Sequence, residues 1–166
     1  MWGTAAVVLL LPLVAMQFTR DVTWDLADFA IFGTMLFGAC GTYELAARVT
    51  GNYAYRAAVA VSLAAAFILI WMNLAVGIIG NEENPANLMY CGVLAVGIIG
   101  SVIARFQPHG MARALIATAL AQALVAVIAM IAGFGYTFIL TGFFVALWLT
   151  SARLFQQAAQ EQTRLR

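Results

Sequence analysis

The chain has 166 residues, of which 64% are hydrophobic and 9% charged, and its net charge is +1. Soluble domains run near about 45–50% apolar and about 25% charged, so this composition excludes a soluble globular protein and implies a bilayer as the solvent. The near-zero charge gives no basis for nucleic-acid binding, and all eight basic residues are arginine.

Apolar runs, read against Gly, Pro and Asn punctuation, predict six helices at 3–19, 26–48, 56–80, 85–106, 111–133 and 136–157, with a tail at 158–166. The expected fold is all-α: a polytopic membrane helical bundle of six transmembrane helices, with no soluble domain. The first run, "MWGTAAVVLLLPLVAMQF", lacks a basic n-region, and "VAMQF" is a poor small-residue cleavage site. It is therefore expected to stay as a helix rather than act as a signal peptide. The third run closes on "LAVGIIG" (74–80), a word repeated at 94–100 inside the fourth. The copies differ in depth and direction, so the word reads as membrane-helix vocabulary rather than as a symmetric element. In "NEENPAN", Asn84 is a natural N-cap and Pro85 fits a first helical turn. Pro108 and Gly110 in "FQPHGM" separate the fourth and fifth runs, and "AGFGY" (132–136) supplies a tight turn before the sixth.

A second repeat respects direction. "GTMLFGACG" (33–41) and "GVLAVGIIG" (92–100) share their glycine spacing, which fits either a duplicated helical hairpin or drift among small residues. Gly38/Gly41, Gly77/Gly80 and Gly97/Gly100 are each three apart and are expected to pack helices closely.

Charge orients the six crossings. Arg48, Arg56, Arg105, Arg113, Arg153, Arg164 and Arg166 fall on one face, while the other holds Arg20 against Asp21, Asp25, Asp28, Glu82 and Glu83. The positive-inside rule then places both termini in the cytoplasm. Trp24 and Tyr136 would sit at the outer interface, Trp2, Tyr53 and Tyr55 at the inner one; Trp71 and Trp148 lie deeper, as packing residues.

Polar groups within a membrane are expensive and mark candidate function. Asn73, Gln122, Glu44 and Tyr90 form a candidate polar path, joined by Ser62, Thr118 and Thr141. The competing reading is interhelical hydrogen bonding, with Glu44 paired structurally to Arg48 four residues on. Asp21, Asp25, Asp28, Glu82 and Glu83 form a candidate outer cation rim, set against helix capping as the plainer account. Asn81, Asn84 and Asn87 read as turn and cap residues.

Absences narrow the chemistry. His109 is the single histidine, so bis-histidine haem ligation and a Ser–His pair are unavailable. At ~1.5 Å per residue, Cys40 and Cys91 lie roughly 12 Å apart in depth, which forbids a disulfide. No cofactor motif is present. A transport or channel role would use the polar path and the rim. An accessory or assembly role, as a homo-oligomer or beside a membrane-complex partner, would use the glycine faces. An enzyme acting on lipid or quinone is the weakest reading, because no acid–base or nucleophile set converges.

Taken together, "NLAVGIIGNEENPANLMY" and "ARFQPHGMARALIATALAQALVAVIA" resemble a family of short proteobacterial multi-pass inner-membrane proteins with no activity attached. The resemblance spans most of the second to fifth helices and implies a bacterial inner membrane alone.

Overall fold

The computed structural model describes residues 2–19, 23–81, 83–134 and 137–164. Every regular element among them is helical: α1 (Trp2–Phe18), α2 (Leu26–Val49), α3 (Tyr53–Ala75), a 3-10 turn (Pro85–Leu88), α4 (Met89–Ile103), α5 (Pro108–Ile131) and α6 (Phe138–Arg164). α2, α3, α5, α6 and the 3-10 turn with α4 make five helices long and apolar enough to cross a bilayer. α1, with 17 residues, spans about 25 Å against a hydrocarbon core of about 30 Å. The chain divides into two compact units, Met1–Val49 and Thr50–Arg166.

The first unit is an antiparallel hairpin. Trp2 stacks on Phe37 with ring centroids 5.8 Å apart, and its indole Nε1 donates to Glu44 Oε2 at 2.6 Å. Leu9 lies against Gly33, where an added Cβ would make ordinary contact at 3.6 Å. α2 starts on a reciprocal cap: the Asp25 amide donates to Asp28 Oδ2 and the Asp28 amide to Asp25 Oδ1, both at 2.9 Å. Each carboxylate thus takes one of the orphan amides of a helix start, as in a capping box.

The second unit is a bundle in which α6 lies between α3 and α5, and α5 lies between α6 and α4, while α3 and α4 barely touch. Ser151 Oγ donates to Ala58 O at 2.7 Å, and the rings of Tyr55 and Phe155 meet edge to face at 5.0 Å. These contacts set α3 antiparallel to α6. Gly97 faces Thr118 and Gly100 faces Ala114, setting α4 antiparallel to α5. A Cβ added at Gly100 would stand 2.8 Å from Ala114 Cβ, a separation that only glycine allows.

Four differences from the expected boundaries have physical causes. α3 ends at Ala75, not at 80, because Gly77 and Gly80 take positive φ (67° and 73°) and the chain turns back. Gly77 and Gly80 therefore do not share a helix face. α4 ends at Ile103, and the chain passes through two non-glycine residues in the left-handed region, Arg105 (φ 48°) and Phe106 (φ 57°). The Phe106 amide reaches Ser101 O, closing α4 in the Schellman manner, and Tyr55 Oη donates to Phe106 O at 2.8 Å. α5 starts three residues early, with Pro108 at its first turn. α6 runs on to Arg164 rather than stopping at 157. Its final turns are held by a fully buried Ala158 and by Asn52 Nδ2 donating to Glu161 Oε2 at 2.7 Å.

The left-handed pair is strained, since an L-residue there costs roughly 1–2 kcal/mol. Arg105→Gly relieves part of that cost while adding freedom to the unfolded chain. The expected result is stability unchanged or raised by up to about 1 kcal/mol in detergent unfolding. A clear loss would show that the Arg105 side chain holds the turn.

Candidate functional site

The buried face of α5 repeats with heptad spacing through Met111, Leu115, Thr118, Gln122, Val125 and Ala129, and that of α6 through Thr141, Phe144, Trp148, Ser151, Phe155 and Ala158. Thr118 of the first stripe meets Gly97 of α4, and Ser151 and Phe155 of the second meet α3, so both stripes line the buried interior along which α5 and α6 pack. Most of these positions are apolar, and the polar ones are uncharged.

Two of the polar side chains are locally satisfied: Thr118 Oγ1 donates to Ala114 O at 2.9 Å and Ser151 Oγ to Ala58 O. The others are not. Gln122 is 0% exposed, and both its amide oxygen and its amide nitrogen find no hydrogen-bond partner among the described residues. The same holds for Tyr90 Oη on α4, Thr141 Oγ1 and Trp148 Nε1 on α6, and Thr137 Oγ1 just before α6. An unpaired buried polar group costs about 1–3 kcal/mol, so five such residues among the described residues of one unit call for a reason. The Gly97–Thr118 and Gly100–Ala114 contacts put Tyr90 within roughly 4 Å of the level of Gln122 along the bundle at ~1.5 Å per residue.

Asn73 has a different partner. Its Nδ2 donates to Asn87 O at 3.0 Å, joining α3 to the 3-10 turn. Asn87 is itself buried and organises the segment that follows α3. Its Oδ1 accepts from the amides of Ile78 (3.1 Å) and Ile79 (2.8 Å). Its Nδ2 donates to Ile79 O (3.3 Å) and Asn81 O (2.6 Å). With its backbone thus satisfied, Ile79 is fully buried, an apolar residue held in the turn after α3. Asn84 caps the 3-10 turn through Ala86 N at 3.0 Å.

Glu44 belongs to the first unit, where it accepts from the Arg48 guanidinium in an i, i+4 ion pair and from Trp2. Of the acidic rim, Asp25 and Asp28 cap each other in the first unit, and Glu83 is exposed in the second. Asp21 and Glu82 lie outside the described residues, as do Arg20, Tyr136 and Arg166. Among the described residues no group of three or more His, Cys, Asp or Glu is placed to hold a metal ion. Cβ atoms built at Gly38 and Gly41 meet nothing within 4 Å, whereas those at Gly97 and Gly100 press on α5. A solvent-open groove of about 340 Å³ lies between the start of α5 and the end of α6, lined by Gln107, Pro108, His109, Ala159, Gln162 and Thr163.

Two residues matter more than their sequence context suggested. Asn87 was legible only as one cap among three asparagines. Trp148 read as a packing residue; its seven-residue spacing from Thr141, in an apolar helix, is the available signal that both lie on the buried face of α6. No protein family, curated protein or solved structure matches the chain.

Proposed function

We propose that this chain is a bacterial inner-membrane protein with six crossings and both termini in the cytoplasm, and that its second unit passes a small polar solute along the α5–α6 seam. The observation that carries the reading is the Gln122 carboxamide, fully buried with neither end paired. A membrane bundle held together only by packing has no use for such a group, whereas a solute path needs hydrogen-bonding side chains that are not already spent on one another. In that orientation the Asn87-held turn lies at the outer end, and the Tyr55–Phe106 contact at the inner end.

The test is permeation into vesicles reconstituted with the purified chain, with K+, urea and glycerol as probes. Entry of at least one probe should exceed that of empty vesicles. Gln122→Leu should lower that excess by about tenfold, the worth of roughly one hydrogen bond, while thermal unfolding stays at or above that of the wild type. If no probe enters faster than into empty vesicles, the transport reading fails.

The second reading is an accessory or assembly subunit, as a homo-oligomer or beside another membrane protein. It is supported by the first unit, where Ala5, Phe32 and Gly33 are the buried helix residues and the Gly38/Gly41 face is open. Co-purification of a stoichiometric partner in mild detergent, lost on Gly38→Leu, would favour it.

A further inference from the structure

Resting on the transport reading, we infer that the seam selects uncharged hydrogen-bonding solutes, of the chemical class of urea, small amides and polyols, and rejects ions. Among the described residues, the buried polar ones of the second unit are Asn87, Thr118, Gln122, Thr137, Thr141 and Ser151, and none carries a charge. A cation drawn into this interior loses its hydration and meets no opposite charge among the buried described residues to replace it. Arg56, half-buried at the start of α3 above the Tyr53 ring, is itself a cation and offers a cation no compensation.

The unpaired atoms suit a neutral solute instead. Gln122 brings a carbonyl acceptor and an amide donor, Thr141 and Tyr90 bring hydroxyls that donate and accept, and Trp148 brings a donor alone. Such a mixed set can exchange bonds with a molecule that also carries both kinds of group. A cation would find mainly single carbonyl or hydroxyl oxygens, and an anion isolated donors. Neither would meet a ring of either type such as ion filters use. Thr118 and Ser151 are already committed to backbone carbonyls and add no competing site.

The experiment compares neutral and ionic permeation in the same reconstituted vesicles. Stopped-flow light scattering follows urea and glycerol entry, and a potential-sensitive dye follows K+ and Cl− currents. Urea or glycerol entry should exceed the empty-vesicle rate by about tenfold and fall back in both Gln122→Leu and Thr141→Val, each of which replaces one unpaired group. Ion currents should match empty vesicles in all three proteins. A K+ or Cl− current abolished by Gln122→Leu would overturn the neutral-solute class and leave the transport reading standing. Absence of permeation by any of the four probes would remove both. Thr141→Val keeps the comparison decisive if Gln122→Leu does not fold, because a neutral flux untouched by Thr141→Val also overturns the assignment of the seam.

Discussion

Asn87→Leu should lower the unfolding free energy of the purified protein in detergent by about 2–5 kcal/mol and its midpoint by on the order of 10 °C. Leucine keeps the volume and removes four hydrogen bonds, to Ile78 N, Ile79 N, Ile79 O and Asn81 O. A neutral hydrogen bond is worth about 0.5–1.5 kcal/mol net, and a buried amide left without a partner costs more than the bond itself returns. Double-mutant cycles within membrane helices average nearer 0.6 kcal/mol per bond, which sets the low end of the range. Asn84→Ala is the matched comparison: it removes one capping bond, to Ala86 N, and should cost about 1 kcal/mol. Limited proteolysis around 81–84 reports the same event locally, because release of Ile79 frees the segment. If Asn87→Leu is no more damaging than Asn84→Ala, the Asn87 side chain does not hold the segment.

Gly110→Ala is the second large effect. The added Cβ would stand 2.6 Å from Ala104 Cβ and 3.1 Å from Ala104 Cα. Neither atom is the end of a flexible side chain, so the α4–α5 turn itself must move. Overpacking of this kind costs about 1–3 kcal/mol, against a helix-propensity gain of up to about 1 kcal/mol for alanine over glycine. The net expectation is a loss of about 1–2 kcal/mol by thermal unfolding. Gly142→Ala is the control: its Cβ meets nothing within 4 Å, so the propensity gain stands alone. Ala104→Gly combined with Gly110→Ala removes the 2.6 Å contact and leaves the 3.1 Å approach to Cα, so it should restore part of the loss. Failure of that pair to recover would place the damage elsewhere than in the 104–110 contact.

The repeated heptapeptide shows what a sequence of this kind can and cannot reveal. "LAVGIIG" at 94–100 is helical throughout, whereas at 74–80 the helix is lost after Ala75. The seven residues are identical, so no propensity or pattern within them separates the two outcomes. The difference comes from a side chain beyond the word: Asn87 gives the amides of Ile78 and Ile79 an acceptor outside the helix, whereas the matching Ile98 and Ile99 lie inside α4. Helix positions were legible because long apolar runs between Pro, Gly and Asn leave few alternatives, and α2 begins at the expected Leu26. The ends of α3 and α6 were not, because partners distant in sequence decide them. For the candidate site, Gln122, Thr141 and Tyr90 were visible as polar residues in apolar helices. Their lack of partners was not visible, since pairing depends on how each neighbouring helix is rotated.

The packing order also bears on how the chain is assembled during synthesis. α3 barely touches the helix that follows it and packs mainly on α6; the Ser151–Ala58 bond that joins them spans 93 residues. At roughly 5–20 residues per second, α3 waits on the order of 5–20 s for its principal neighbour to emerge. α4 and α5, joined by a turn of a few residues, can pair at once. In that interval the small residues of α3, Ala58 and Ala65 among them, lack the neighbour that buries them, so a chain ending before α6 is expected to be degraded faster than the full chain in pulse-chase labelling.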